Sequence, residues 1–472
     1  MSLFGFLRRE LRKNARVSRR SDGLYCSLLS GLFSGRQDKN CFMNKHMVQY
    51  ILMAGAAAFQ FQVTLLFTEP EELQPGNSRR RFKTVLFNMT GEWLMKKTSF
   101  GMVGGGLGSF IGDVHRHGAM IDDLAALRAG CFSRSRDKSL ETARAWDIPE
   151  DRVYGTFQEM ADRESARDDG IDFVTVATPN SSHYEIAKYF LEKNIHVMCD
   201  KPVTMTVEQA EDLKRIAEER KLLFAVSYAY TGYPVIRQAR RMIEDGIIGR
   251  MLYVRAGHPE DWVISSVPEE PAGNLPWRFD PNVAGESLCC ADLGTHAEQL
   301  IEQFTGLTIR RVLAKFNTWP AYLPLETNVT ALLDLGDGIT GELWASQIAI
   351  GKECSPYIYV VGTKGALEWN HEKPDILKYT ELNGPTQLLS AGRDYMGAES
   401  RSITRVAAGH HEGYFEVFGN IYRPFCENLL ALKEGKAYEG LSYPTIKEGL
   451  NGMKFIHACV ESEKRGNIWI DL

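Results

Sequence analysis

Three polar residues stand out by type and position: Lys201, Asp292 and His296. Lys201 follows the apolar run Ile195-His196-Val197-Met198-Cys199, which reads as a strand, and Asp200. Pro202 comes next and restricts Lys201 to an extended backbone. That fixes the lysine at the carboxyl end of a strand, the rim where open α/β sheets bind ligands. Asp292 and His296 are four residues apart, so on a helix they share one face. An ammonium, a carboxylate and an imidazole are suited to proton transfer and charge stabilisation at an oxygen atom. The plainer alternatives are a solvated lysine and a capped helix carrying a structural Asp–His pair.

The elements that would have to position these groups are legible upstream. Ser99-Phe100-Gly101-Met102-Val103 is a short apolar run leading into Gly104-Gly105-Gly106-Leu107-Gly108-Ser109-Phe110-Ile111-Gly112. A strand, a glycine-rich turn and a helix form the geometry in which backbone N–H groups approach a pyrophosphate. The fingerprint is irregular: Ser109 stands where the third glycine belongs, and Gly112 arrives three residues later. Leu127 to Phe132, Asp172 to Ala177 and Leu222 to Val226 read as further strands, with a short helix near 156–163 and a long amphipathic one from about Thr206 to Lys221. This alternation predicts a doubly wound α/β domain. The second strand ends in Ser133-Arg134, where an NAD-specific domain carries an acid; that pair suits a 2′-phosphate, favouring NADP over NAD, the alternative being an ordinary solvated loop.

Two loops and one downstream segment carry a family resemblance. Thr178-Pro179-Asn180-Ser181-Ser182-His183, Asp200-Lys201-Pro202 and Ala291-Asp292-Leu293-Gly294-Thr295-His296 resemble the T-P-N-x-x-H, E-K-P and D-x-G-x-H patterns of the Gfo/Idh/MocA oxidoreductases, in the same order. The similarity runs from about Thr98 to Leu472. It implies an α/β protein with an N-terminal Rossmann dinucleotide-binding domain over 95–225. A C-terminal α+β domain over 226–472 would follow, with a large, mainly antiparallel open-faced sheet and a last helix returning to the first domain. It also implies an NAD(P)-dependent dehydrogenase acting on a secondary hydroxyl. His296 would be the general base, Lys201 would stabilise the same oxygen, and Asp292 would orient the substrate. The cofactor would be NAD or NADP, held by Gly104, Gly106, Leu107, Gly108, Ser133, Arg134, Thr178, Pro179, Asn180, His183, Asp200 and Lys201.

After Tyr228 the pattern changes to consecutive strands at 251–256, 311–316, 328–335, 341–348 and 357–361, with a hairpin signal at Asp334-Leu335-Gly336-Asp337-Gly338. Tyr230, Trp277, Arg278 and His410 join Lys201, Asp292 and His296 as candidate substrate contacts, the alternative for each being plain packing. Thr231 replaces an arginine of many family members, and Gly285-Glu286-Ser287 replaces a glycine run. Those departures touch the substrate rather than the redox chemistry. The Y-T-G-Y-P and H-x-E-G-Y elements resemble a branch acting on sugars, inositols or glycosides, so a ring hydroxyl of a sugar, cyclitol or glycoside is the expected substrate. The rival readings are an NAD-dependent glycoside-cleaving enzyme with transient redox, and a non-catalytic dinucleotide-binding sensor.

Composition agrees with a soluble enzyme. The 472 residues carry a net charge of −5, with 44 % hydrophobic and 24 % charged residues, which gives no reason to expect nucleic acid or a membrane as partner. The nine cysteines are scattered, with no C-x-x-C or zinc-site spacing, as in a reducing, cytoplasmic setting, and Cys289–Cys290 is the only pair near the candidate catalytic residues. A homodimer or homotetramer is expected. Residues 1–94 differ from the rest, carrying roughly seven excess positive charges. An Arg-rich run to Arg20 and an uncharged stretch over 47–67 admit three readings: an overlong start upstream of Met95, a disordered extension, or a targeting or membrane segment.

Overall fold

The computed structural model describes residues 97–472 apart from 272 and 274, together with strands β1 (Phe61–Thr68) and β2 (Phe82–Met89). Residues Met1–Leu94 and Met95–Leu472 form separate compact units. In the first, β1 and β2 pair antiparallel from Phe61↔Met89 to Thr68↔Phe82. The end of the uncharged stretch is thus strand, while its first part and the Arg-rich run lie outside the described residues. Among the described residues no helix is long and apolar enough to cross a membrane.

The second unit begins with β3 (Thr98–Gly104), α1 (Phe110–Met120), β4 (Ala125–Cys131), α2 (Arg136–Ala145) and α3 (Phe157–Ser165). It continues with β5 (Phe173–Ala177), α4 (His183–Glu192), β6 (His196–Cys199), α5 (Val207–Arg220) and β7 (Phe224–Val226). The strands form a parallel sheet in the order β4-β3-β5-β6-β7. Every residue of β5 is buried, as its unbroken apolar run requires when helices cover both faces. The order reverses at β3, so a crevice opens between the carboxyl ends of β3 and β5. Helix α5 begins after Thr206, whose side chain caps Gln209 N–H, and stops at Lys221 in the left-handed conformation.

The other half of the unit supplies α6 (Pro234–Glu244), β8 (Met251–Pro259), α7 (Thr295–Thr305), β9 (Arg311–Asn317), β10 (Asn328–Gly336), β11 (Ile339–Ser346) and β12 (Tyr357–Gly362). Strands β13 (Gly365–Asn370), β14 (Ile376–Glu381) and β15 (Thr386–Ser390) follow, then α8 (Tyr414–Lys433), α9 (Ile446–Lys464) and β16 (Ile470–Asp471). The nine-stranded sheet runs β15-β14-β13-β12-β8-β11-β10-β9-β16, and only β8 and β11 are parallel neighbours. The Asp337-Gly338 turn joins β10 to β11 with positive φ at both residues, the geometry a tight hairpin needs. Strands β13 to β15 were not anticipated: they are only five or six residues long and largely half-exposed, although Asn383-Gly384 between β14 and β15 is itself a hairpin signal.

Two C-terminal helices return to the nucleotide half. On α8, the Tyr422 hydroxyl meets His115 Nδ1 of α1 at 2.8 Å and Thr175 Oγ1 of β5 at 2.9 Å. Just before α9, Thr445 bridges to Ala225, and Val226 N–H donates to the Pro444 carbonyl at 2.9 Å.

Candidate active site

The irregular glycine loop becomes intelligible in three dimensions. A Cβ on Gly104, where φ is +76°, would lie 2.4 Å from the Ala177 carbonyl oxygen, so the loop hugs β5. A Cβ on Gly112 would lie 2.0 Å from the Gly105 carbonyl oxygen. Gly112 therefore performs the close helix-to-strand packing of the third fingerprint glycine. Ser109, in the expected glycine's place, is the N-cap of α1 and accepts from Gly112 N–H at 3.2 Å. Leu107 N–H donates to Thr142 Oγ1 at 3.1 Å, and Gly106 lies against the same threonine. Around Gly108, where a Cβ would point, there is open space. The cradle fits a dinucleotide: its first-turn amides and the helix dipole face that space.

At the end of β4, the Ser133 hydroxyl accepts from Ser135 N–H at 3.1 Å, and Arg134 is exposed. His183 is buried, with Nε2 2.8 Å from the Thr178 carbonyl and Nδ1 2.9 Å from the Pro202 carbonyl. This one ring staples the loop after β5 to the loop after β6. Pro179 is exposed at the turn, and Asn180 Nδ2 donates to the Ala284 carbonyl at 2.8 Å. Asp200 Oδ1 accepts from Lys201 N–H at 2.9 Å and from the Ser227 hydroxyl at 2.7 Å. The Lys201–Pro202 peptide is cis.

Lys201 reaches across to the second half. Its Nζ donates to Asp292 Oδ1 at 2.6 Å and to the Asp292 carbonyl at 2.7 Å. Asp292 Oδ2 accepts from Gln347 Nε2 at 3.1 Å. Asp292 does not sit on a regular helix: Cys290–Gly294 is a π-helical turn running into α7, with Thr295 N–H bonded to the Cys290 carbonyl. Such turns recur at functional sites. Its entry is held by the buried Glu326, which accepts from the Ser287 hydroxyl at 2.5 Å and from Cys290 N–H at 2.9 Å. The serine that replaces a family glycine thus anchors the turn.

His296 is buried one turn further on. Tyr230 packs edge-on against it at 4.8 Å between ring centroids, and His258 lies 5.7 Å away. Burial, then the Lys201 cation, then His258 push the His296 imidazole well below its ordinary value, which leaves it neutral. For Asp292, burial acts upward, but Lys201 and then Arg278 outweigh it and hold the carboxyl at about 2. The site is therefore a neutral base beside a charge-balanced Lys–Asp pair.

The other expected substrate contacts are distributed unevenly. Tyr230 is buried, its hydroxyl 3.0 Å from Cys354 Sγ. Arg278 is an electrostatic partner of Asp292 and lies over the half-exposed Trp277 at 4.7 Å. His410 is exposed, its Nδ1 3.1 Å from the Ala407 carbonyl. The same segment instead sends in Tyr414, whose ring lies 6.2 Å from Tyr230 and 6.0 Å from Phe110 at the start of α1. Sequence reading also missed His258, Glu260, Gln347 and Cys354. His258 in β8 and Glu260 just beyond its end are two residues apart, and period-two spacing is the signal that pairs them. Burial, then Asp292, raise the Glu260 carboxyl to about 7.

The nucleotide half, residues 98–228, matches the oxidoreductase-family model for an NAD-binding Rossmann fold, and residues 236–368 match the Gfo/Idh/MocA C-terminal domain model. The oxidoreductase YfiI of Bacillus subtilis is 33% identical over 391 residues, which is 81% of this chain and 99% of that protein. The chain belongs to the Gfo/Idh/MocA oxidoreductase family. Among solved Gfo/Idh/MocA-like structures, an inositol dehydrogenase homologue from Azotobacter vinelandii bound to NAD+ is 34% identical with a TM-score of 0.76, over 80% of this chain and 98% of that one. The same homologue with NADH and myo-inositol gives 33% and 0.75, over 80% and 98%. The levoglucosan dehydrogenase of Pseudarthrobacter phenanthrenivorans is 28% identical over 48% of this chain and 63% of that protein. This family member is thus an NAD(P)-dependent oxidoreductase, built on a Rossmann domain and a largely antiparallel sheet.

Proposed function

We propose that this enzyme interconverts a ring hydroxyl and the corresponding ketone on a sugar, cyclitol or glycoside. The observation that carries the reading is the Lys201–Asp292 bond beyond the carboxyl ends of the parallel strands, with the Lys201 cation acting on the neutral His296. A nicotinamide held by the glycine loop would supply the hydride acceptor or donor. His296 removes the hydroxyl proton as general base. An ammonium has three N–H donors, and Lys201 spends two on Asp292. The third is left to donate to the substrate oxygen and stabilise its developing charge. Asp292 fixes Lys201 and accepts from a neighbouring hydroxyl, while Tyr230, Arg278 and Tyr414 close the pocket around the ring.

The experiment is a screen of monosaccharides, inositols and glycosides with NAD or NADP, read at the reduced-nicotinamide absorbance. Net cofactor reduction by one class is expected. Glycoside cleavage without net reduction would overturn the reading.

The loop after β4 presents Arg134 and no acid, which supports NADP as the preferred dinucleotide. The outer face of the large sheet carries Tyr253, Leu332, Trp344, Tyr357 and Tyr359. This aromatic surface supports a homo-oligomer formed through the sheet, to be measured by light scattering. The seven described cysteines are free thiols, which supports a reducing compartment such as the cytoplasm.

A further inference from the structure

Beside the Lys201–Asp292 pair, three side chains of different chemistry converge. His258, Glu260 and Cys354 place one ligand atom each within 4.8 Å of one another. His258 lies in β8, Glu260 directly follows its last residue, and Cys354 comes from the loop between β11 and β12. That loop is braced on both sides: Ser355 N–H donates to the Pro259 carbonyl at 3.1 Å, and His371 Nδ1 is 2.9 Å from the Cys354 carbonyl. Cys354 is held at φ +47°, a left-handed conformation that a non-glycine residue adopts at a cost and that clusters at functional sites.

The imidazole of His258 is underused. It is buried, its Nδ1 has no hydrogen-bond partner among the described residues, and its Nε2 faces Cys354 Sγ at 3.7 Å. Zinc–nitrogen and zinc–sulfur bonds at a tetrahedral angle put the two ligand atoms about 3.6 Å apart. The observed spacing already fits. Glu260 has to swing in by about an ångström to complete a third bond of ordinary length. Thiolate, imidazole and carboxylate together select zinc or cobalt over magnesium or calcium.

We propose that His258, Glu260 and Cys354 form a binding site for a divalent zinc-class ion on the wall of the substrate pocket. Three protein ligands leave the fourth tetrahedral position for water or a substrate hydroxyl. No redox or group-transfer step is attached to the ion.

The test uses the full chain stripped with chelator and titrated with Co2+, whose thiolate charge-transfer absorption reports a sulfur ligand. Saturation at one equivalent with that band, reversed by Zn2+, is the expected result. C354S should abolish the band and weaken Zn2+ binding by about tenfold or more. Sub-stoichiometric uptake, or a band that persists in C354S, would overturn the proposal. If C354S does not fold, E260Q takes its place, with Zn2+ affinity read by competition against a chelating dye. A tenfold loss supports the site and an unchanged affinity refutes it. Metal binding is read without turnover, so failure of the dehydrogenase reading would leave this result interpretable.

Discussion

The ammonium of Lys201 is bonded twice to one residue, Asp292: to its carboxylate at 2.6 Å and to its main-chain carbonyl at 2.7 Å. The lysine is delivered by the parallel sheet and the aspartate by a π turn ahead of α7, so this contact joins the nucleotide half to the substrate half. Two fixed bonds aim the remaining N–H, which a flexible lysine stem cannot do alone.

Removing the ammonium tests that geometry. Lys201→Ala is expected to lower kcat by about a thousandfold or more, with dinucleotide affinity changed by less than about threefold. Steady-state kinetics and fluorescence titration with reduced cofactor separate the two effects. Full activity in the variant would refute the assignment.

The π turn should matter as much as the residues it presents. Glu326→Ala leaves Cys290 N–H and the Ser287 hydroxyl without their acceptor, a loss of about 1–3 kcal/mol. Turnover should fall while dinucleotide affinity stays near the parent value. Glu326→Gln, which keeps an acceptor oxygen, should recover part of kcat. Equal loss in both variants would mean that the carboxylate charge, not the anchoring, is what counts.

Gly112→Ala addresses the cofactor cradle. The added methyl would sit 2.0 Å from the Gly105 carbonyl oxygen, so α1 must move away from the loop, at about 1–3 kcal/mol. Dinucleotide dissociation constants should rise by about tenfold or more and the thermal midpoint should drop. Calorimetry reads both, and an unchanged constant would show that the loop does not bear on the cofactor.

Cofactor preference gives a separate handle. Arg134→Ala should raise the KM for NADP with little effect on that for NAD, since only the former carries the phosphate that a guanidinium would meet. If parent and variant treat the two cofactors alike, Arg134 is a solvated surface residue.

His196 predicts a pH dependence of stability. Its Nδ1 accepts from Leu223 N–H at 2.8 Å, which requires a neutral ring. Burial outweighs the opposite pull of Asp172 and lowers it from 6.5 to about 4. The unfolded chain therefore binds the extra proton first, and stability is lost as pH falls from about 6.5 towards 4. The thermal midpoint should decline over that window. A decline of the same size in His196→Gln would assign it to other groups.

Much of this site was legible in the sequence because short loops at strand ends are local features. Lys201 is fixed by its own neighbours, and the strands around it are buried apolar runs, so their order in the chain identified the doubly wound half. Gly112 looked misplaced because spacing along the chain says nothing of which carbonyl a helix must approach. Asp292 and His296 were expected on a regular helix, and the π turn escaped notice because its cause is distant: Glu326 reaches back across 36 residues to Cys290 N–H. Cys354 was invisible as a neighbour of His258 for a similar reason, since it comes from a loop 96 residues further along the chain. His410 was singled out for its chemistry, yet Tyr414 four residues later is the side chain that faces Tyr230.

The bridge from Ala225 to Thr445, with Val226 bonded to Pro444, has a consequence for biosynthesis. A ribosome releases the glycine loop and all five parallel strands early, but the partner of the outermost strand emerges more than two hundred residues later. The N-terminal domain, the first to emerge in the usual vectorial order, therefore gains this last contact only when Pro444 and Thr445 have been made. A nascent polypeptide cut off before Pro444 would expose the edge of β7, and so becomes a natural client for chaperones that shield unpaired strands.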